Sequence, residues 1–234
     1  MRAENHTPGQ ATPSGRVAPD ATADRKPLDA ANLRRTALRP GGLWRALEVR
    51  DRTGSTNADL LARAIKGAPE GLVLAAEEQS AGRGRMGRTW VSPPRAALTF
   101  SLLVRPAAVP PARRGWLSLL TGVAVASAVT AVTGVDARLK WPNDVLAGEA
   151  KLGGILAEAA GDAVVVGVGL NVSTEPAELP PPGPTPEGAL AATSLRILGS
   201  ATLNDGQGLD VVPGGTYAYG NDGQQEIEDR KSVV

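Results

Sequence analysis

The sequence contains no cysteine, and its 234 residues include a single histidine, His6. Without cysteine there is no disulfide, no thiolate nucleophile and no cysteine-ligated zinc. His6 lies in a polar, proline-interrupted N-terminal stretch, so a Ser-His-Asp triad and a histidine-rich metal site are excluded as well. The absence of disulfides also leads us to expect a cytoplasmic protein.

Acidic residues are missing from one long part of the chain. No Asp or Glu occurs between Glu78 and Asp136, whereas arginines are frequent there. A region without local counter-ions keeps its positive potential for a ligand. The net charge of the whole chain is only +1, so this positive region is a local feature and its partner is expected to be small rather than a long nucleic acid.

An uncharged run of 21 residues extends from Gly115 to Val135. Its length suits a membrane span, but it is rich in alanine and valine and interrupted by serine, threonine and glycine. A buried helix packed on a sheet is therefore favoured over a span. The N-terminus lacks the apolar segment of a signal peptide. We expect no membrane association.

The stretch from Gln79 to Trp90 carries the strongest local signal. Its glycines permit tight turns and its arginines provide donors for anionic oxygens; they are Gly82, Gly84 and Gly87, and Arg83, Arg85 and Arg88. A dinucleotide fold is rejected because prolines, not a helix, follow the last glycine. A single-strand binder would interleave more aromatics than Trp90. A phosphate- or carboxylate-binding loop and a solvated basic turn remain.

Apolar patterning predicts an α+β fold, with a mixed, largely antiparallel sheet and flanking helices. The segment 151–159 is expected to pair antiparallel with 163–172, and Gly148-Glu149 to form a hairpin turn. Thr56 and Asp59 have the spacing of a capping box. The predicted strands are 43–51, 72–78, 97–104, 137–141, 145–147, 151–159 and 163–172, and the predicted helices are 28–38, one starting near Ser55, 113–132 and 186–198.

Two further polar clusters follow at Lys140–Asp144 and Lys151–Glu158. Lysines that bracket an Asn-Asp pair suit a nucleotide and its magnesium, because ammonium groups bind phosphate oxygens and a carboxylate binds metal or ribose. The competing interpretation is that these lysines are solvated strand residues and that Asp144 lies in a turn. Taken singly, each cluster favours the second interpretation.

Taken together, the clusters resemble the catalytic domain of the biotin protein ligases. The shared blocks, in order, are Ser55–Asn57, Gln79 with Gly82–Trp90, Lys140–Asp144, Lys151–Glu158 and Gly169–Asn171. The resemblance covers residues 43–197 and implies the sheet fold shared with class II aminoacyl-tRNA synthetases. Together with the polar, proline-rich composition of the N-terminus, it predicts three parts: a largely disordered extension (1–42), the catalytic domain (43–198) and an atypical tail (199–234).

The resemblance implies that biotin and ATP form biotinyl-5'-AMP and that biotin then passes to a lysine of a biotin carboxyl carrier protein. It assigns catalysis to Arg83, Arg85 and Lys151. It assigns the biotin site to Ser55, Thr56, Asn57, Gln79, Arg83, Gly84, Arg85, Lys151 and Gly154. It assigns the ATP site to Arg88, Trp90, Lys140, Asn143, Asp144 and Asn171, with Asp144 as a ligand for Mg.

The ends of the chain depart from the family pattern. Residues 199–234 do not match the small barrel that usually follows the catalytic domain, so we expect impaired turnover. No DNA-binding domain is recognised before residue 43, so DNA binding is not expected. A lipoate or octanoate ligase of the same fold and a non-catalytic biotin-binding remnant remain as alternatives. A homodimer paired along a sheet edge is compatible with the family.

Overall fold

The computed structural model describes residues 25–91, 93–180 and 190–198. Three helices, seven strands and three short 3₁₀ turns form this part of the chain. The helices are α1 (Ala30–Ala37), α2 (Thr56–Ile65) and α3 (Trp116–Thr133); the strands are β1 (Ala46–Arg50), β2 (Leu72–Ala76), β3 (Ala97–Val104), β4 (Ala137–Lys140), β5 (Asp144–Ala147), β6 (Ala150–Ala160) and β7 (Ala163–Asn171); the 3₁₀ turns are Arg85–Gly87, Pro111–Arg113 and Pro176–Glu178.

All seven strands belong to one sheet in the order β1-β2-β3-β7-β6-β5-β4. β1 and β2 run parallel, and every other neighbouring pair is antiparallel. The predicted α+β fold with a mixed, largely antiparallel sheet is thus confirmed. So is the pairing of β6 with β7, in which Ile155 lies opposite Val168. The hairpin between β5 and β6 turns at Gly148, whose φ of 57° is easiest for glycine.

The two faces of the sheet are covered by different helices. On one face Leu60 of α2 packs with Leu103 of β3 and Val165 of β7. On the other face Ala126 of α3 packs with Val166 of β7 and Ile155 of β6. All nine residues of β7 are buried, because this central strand is covered on both sides. Its run of valines therefore suits a strand without a solvent-facing side.

Helix α2 begins one residue earlier than the predicted capping box requires. Ser55 is the N-cap, and its hydroxyl accepts a hydrogen bond from Ala58 N. Thr56 is the first helical residue, and Asp59 instead accepts hydrogen bonds from Arg50 and Thr53. The predicted capping box is therefore wrong, because a hydroxyl one residue earlier caps the helix.

Helix α3 is much less buried than predicted. Only Gly122, Ala126 and Val129 of its 18 residues are buried, while Trp116 and Leu120 are 69% and 66% exposed. A helix that is apolar all round has no polar face, so hydropathy alone cannot show which side packs. Among the described helices, Pro111–Thr133 is also the one whose length and composition would suit a membrane span.

Part of the N-terminal extension is described, and its helix α1 lies within the predicted helix 28–38. Residues 25–42 include α1, capped by Asp29, and Arg25 is 7% exposed. Arg25 bonds to Glu178 and to the carbonyl of Ser173, which holds this segment against the rest of the fold. The remaining residues of the extension, 1–24, lie outside the described part.

The predicted helix 186–198 is wrong for its described residues, 190–198. Ala192 instead bridges Lys151 in parallel orientation, with Lys151 N donating to Ala191 O at 2.7 Å and Thr193 N donating to Lys151 O at 2.9 Å. Backbone groups of Ala191 and Thr193 thus bond to the free edge at the start of β6, whereas in a helix they would bond to other residues of the same segment. The rest of that prediction, and the predicted tail 199–234, lie outside the described residues.

Candidate active site

A cavity of about 310 Å³ lies on the sheet face that carries α2, beyond the N-terminus of this helix. It is enclosed by the start of α2, the arginine loop (Gln79–Trp90), the segment between β4 and β5, and the glycines of β6 and β7. All predicted site residues except Asn171 line it: Ser55, Thr56, Asn57, Gln79, Arg83, Gly84, Arg85, Arg88, Trp90, Lys140, Asn143, Asp144, Lys151 and Gly154. The structure therefore brings four separate sequence blocks to one place.

Two glycines of β7 form the floor of the cavity. A Cβ on Gly167 would lie 2.2 Å from Asn57 Oδ1, and a Cβ on Gly169 would lie 2.5 Å from the Trp90 indole. Both distances are far below van der Waals contact, so only glycine allows these two side chains to rest on the sheet. The alternation Val-Gly-Val-Gly in β7 directs the valines to the core and the glycines to the site.

The start of α2 is held by a buried polar network. Gln79 Oε1 accepts hydrogen bonds from Thr56 N at 2.8 Å and from Thr56 Oγ1 at 3.1 Å. Ser101 Oγ lies 2.7 Å from Thr56 Oγ1 and 2.6 Å from Asn57 Oδ1. These partners satisfy polar groups that would otherwise be costly to bury, and they fix the helix terminus beside the arginine loop.

Asn57 and Arg83 share one carboxylate, that of Glu158 on β6. Asn57 Nδ2 donates to Glu158 Oε2 at 2.8 Å and to Leu156 O at 3.1 Å. Arg83 Nη2 lies 3.5 Å from Glu158 Oε1. One side chain thus contacts both the start of α2 and the arginine loop.

The arginine loop folds back on itself. Gly84 N donates to Arg88 O at 2.8 Å, and Trp90 N donates to Gly82 O at 3.0 Å. Met86 and Gly87 make the tip with φ values of 56° and 72°. The expected tight turn is therefore present, and the positive φ values at its tip explain why glycine is suited to position 87.

A second cation–carboxylate pair lies across the cavity. Lys151 Nζ is 2.7 Å from Asp144 Oδ1, which also accepts from Asn143 Nδ2 at 3.2 Å. Arg85 Nη1 in turn donates to Asn143 Oδ1 at 3.2 Å. Lys151 and Arg85 thus each lie beside an oxygen atom of the protein. An oxygen of an anionic ligand could replace that atom as the partner of the cation.

Trp90 presents a polar atom that the protein does not satisfy. Its Nε1 is buried and has no hydrogen-bond partner among the described residues. Buried donors normally have a partner, so an acceptor on a bound ligand would satisfy this group.

Asn171 is the one predicted site residue that the structure does not bring into the cavity. It ends β7, is buried, and donates from Nδ2 to Thr193 O at 2.9 Å. Its observed contact holds the segment 190–198 against the sheet. The predicted nucleotide contact of Asn171 stays a prediction.

Several lining or supporting residues had no role predicted from the sequence, although most of them lie within the shared blocks. Ser101 and Glu158 support the site from behind, and the remaining ones line it: Met86, Thr89, Trp141, Pro142, Ile155, Leu156, Gly167, Val168 and Gly169. The period of two in β7 could have revealed both glycines. The contacts of Ser101 could not be anticipated, because they depend on the crossing of α2 over β3.

Arginine and lysine side chains lie around the two glycines of β7 and form a site suited to anionic substrates. The protein that carries this site has an α+β fold. Residues 49–173 match the model of the Biotin/lipoate A/B protein ligase family. This match spans more than half of the chain, and the chain therefore belongs to that family.

The chain is 51% identical, over 181 residues, to "Biotin--[acetyl-CoA-carboxylase] ligase" of Mycobacterium tuberculosis, covering 76% of this chain and 65% of that protein. The protein of the same name from Paracoccus denitrificans is 42% identical, with 58% of each chain covered. The chain thus spans less than two thirds of the length of these relatives.

Solved structures agree with the sequence relatives. The biotin protein ligase of Aquifex aeolicus in complex with biotin and ATP is similar with a TM-score of 0.54 and 32% identity, over 66% of this chain and 61% of that one. The ligase of Leishmania major in complex with biotinyl-5-AMP gives a TM-score of 0.54 and 27% identity, over 65% and 64%. The predicted family and fold are confirmed.

Proposed function

We propose that this chain is an ATP-dependent ligase that activates biotin as biotinyl-5'-AMP and transfers it to a lysine of a biotin carboxyl carrier protein. The observation that carries the proposal is the cavity in which Arg83, Arg85 and Lys151 lie around a glycine floor. The names of the relatives, and the biotin, ATP and biotinyl-5-AMP bound to two solved ligases, support it.

The first step joins two anions. A carboxylate oxygen of biotin attacks the α-phosphorus of ATP, and the bond from that phosphorus to the bridging oxygen of pyrophosphate breaks. The reaction needs charge stabilisation and alignment rather than a covalent nucleophile. Arg83 and Lys151 would supply both: Arg83 stays paired with Glu158 behind the cavity wall, and Lys151 exchanges the carboxylate of Asp144 for substrate oxygens.

The second step transfers the acyl group. The amine of the carrier lysine attacks the acyl carbon of the adenylate, the bond to the AMP oxygen breaks, and the nitrogen loses a proton. The acceptor proposed here is the carrier domain of acetyl-CoA carboxylase or a related carboxylase, because the M. tuberculosis relative is named for that substrate. We further propose that this reaction takes place in the cytoplasm.

Magnesium would accompany the nucleotide. Within residues 25–91, 93–180 and 190–198 no group of three or more acidic, histidine or cysteine side chains suits a metal ion. Magnesium is commonly bound by one or two carboxylates together with substrate phosphates. Asp144, at the cavity wall, fits the role of that single carboxylate, and the ion would neutralise phosphate charge.

The test is biotin-dependent exchange of labelled pyrophosphate into ATP, with and without a carrier domain. Exchange that requires biotin is expected, and labelled carrier would demonstrate transfer. Because the family model includes lipoate ligases, octanoate and lipoate are tested as competitors, and we expect neither to replace biotin. Biotin binding without exchange would contradict the proposed activity and favour a binding protein.

A further inference from the structure

Glu158 lies behind the cavity wall, where it joins two parts of the site that are distant in sequence. It is on β6, on the same face of the sheet as Gly154 and Leu156, and it does not itself line the cavity. Its Oε2 accepts from Asn57, which begins α2, and its Oε1 pairs with Arg83 of the arginine loop.

The two contacts differ in character. Asn57 is almost fully buried, and its amide is also fixed by Leu156 O and Ser101 Oγ. The side chain of Arg83 is 46% exposed, and it pairs with the carboxylate of Glu158. Loss of the carboxylate charge would therefore leave Asn57 largely in place but would release Arg83 into solvent.

We infer that Glu158 is a positioning residue for the reaction: one oxygen sets Asn57 at the cavity floor and the other holds Arg83 toward it. This inference rests on the proposed function, in which Arg83 meets the reacting anions. The two oxygens then have separable effects. The Arg83 contact affects the rate of adenylate formation, and the Asn57 contact affects the affinity for biotin.

Two substitutions separate these effects. Glu158→Gln keeps an amide oxygen for Asn57 Nδ2 but removes the charge that pairs with Arg83. We expect kcat for pyrophosphate exchange to fall about tenfold, since a misplacement of about 1 Å can cost roughly 100-fold in rate. KM for biotin should change less than about twofold. The contact of Asn57 with residue 158 is retained, and in this proposal it contributes equally to binding in the ground state and in the transition state.

Glu158→Ala removes both contacts. We expect the same fall in kcat together with a KM for biotin raised by about tenfold or more, because Asn57 Nδ2 loses an acceptor in a buried place. Direct titration of biotin, without ATP, should show the same rise in dissociation constant for Glu158→Ala and little change for Glu158→Gln. The matched control is Glu149→Gln, an exposed glutamate in the turn before β6, which should behave as wild type.

The outcomes separate the inference from the proposed function. Absence of exchange in the wild-type protein would refute the function itself. Normal exchange in the wild type together with wild-type kcat in Glu158→Gln would overturn the positioning role of Glu158. The positioning role would also be overturned if Glu158→Gln and Glu158→Ala lost the same kcat as each other and the same melting temperature as each other. Glu158 would then act only through folding.

Discussion

Lys151 and Asp144 face each other across neighbouring strands, with Nζ and Oδ1 2.7 Å apart. Both side chains line the cavity, and both are less than one-third exposed. The pair keeps the lysine extended over the site with an oxygen at its ammonium group. A substrate phosphate or carboxylate can take the place of Asp144 with little reorganisation, which is the condition for efficient charge stabilisation.

Lys151→Ala should therefore abolish most adenylate formation. Loss of one preorganised donor costs about 3 to 4 kcal/mol in other enzymes, or roughly 100- to 1,000-fold in rate. Biotin-dependent pyrophosphate exchange measures the effect, and the melting temperature should stay close to that of the wild type. Lys66→Ala is the matched control, because Lys66 is an exposed residue at the end of α2. Exchange within twofold of wild type in Lys151→Ala would refute the assignment.

Gly169→Ala should disturb Trp90. The added Cβ would lie 2.5 Å from the indole, so the ring must move off the sheet. Overpacking of this kind costs about 1 to 3 kcal/mol, and we expect the affinity for substrates to fall with it. Urea unfolding and biotin titration measure the two effects. Gly54→Ala, where a Cβ meets nothing within 4 Å, should leave both unchanged; equal effects at the two positions would contradict the proposed contact.

The Arg25–Glu178 ion pair should contribute to stability. Arg25 is nearly buried and donates to both oxygens of Glu178, at 3.1 and 2.5 Å. Arg25→Ala should lower the free energy of unfolding by about 1.5 to 3 kcal/mol, the usual range for hydrogen bonds to charged groups. Lys26→Ala, at the exposed neighbouring position, should change it by less than about 0.5 kcal/mol. A neutral Arg25→Ala would show that the N-terminal segment does not depend on this pair.

The same pair predicts a pH dependence. Hydrogen bonds from Arg25 lower the pKa of Glu178 below its ordinary value, although partial burial opposes them. A carboxyl whose pKa is lowered by folding stabilises the protein above its unfolded pKa, about 4.3, and loses that contribution as pH falls through the lowered folded value. The stability difference between wild type and Glu178→Gln should therefore shrink as pH falls from 7 to below 4. Urea unfolding at both ends of that range measures it, and a difference independent of pH would contradict the assignment.

Helix α3 should tolerate changes on one side only. Leu120→Ala, at an exposed position, should change the free energy of unfolding by less than about 0.5 kcal/mol. Val129→Ala, at a buried position, should cost roughly 2 kcal/mol because it removes buried methyl groups and leaves a cavity. Chemical denaturation distinguishes the two. Equal losses at both positions would mean that the outer side of the helix is covered in solution.

The strands show where sequence reasoning succeeds. The predicted strand 97–104 agrees with β3 at both ends, and β7 begins at the predicted residue 163. Apolar alternation and the valine run are local signals that tertiary contacts reinforce. The segment 190–198 shows the opposite case. Its apolar spacing predicted a helix, but the segment instead forms backbone hydrogen bonds to Lys151, a residue about 40 positions earlier in the chain.

The sequence by itself determined the family and the fold class, and all its predicted site residues except Asn171 line the cavity, because those signals are short motifs and local periodicities. Only the tertiary structure decided which side of α3 packs, that Arg25 is buried, that Asn171 contacts Thr193 instead of the cavity, and that Glu158 links Asn57 to Arg83. Each of these depends on contacts between residues far apart in the chain. Such contacts arise from the packing of whole elements, which local sequence does not specify.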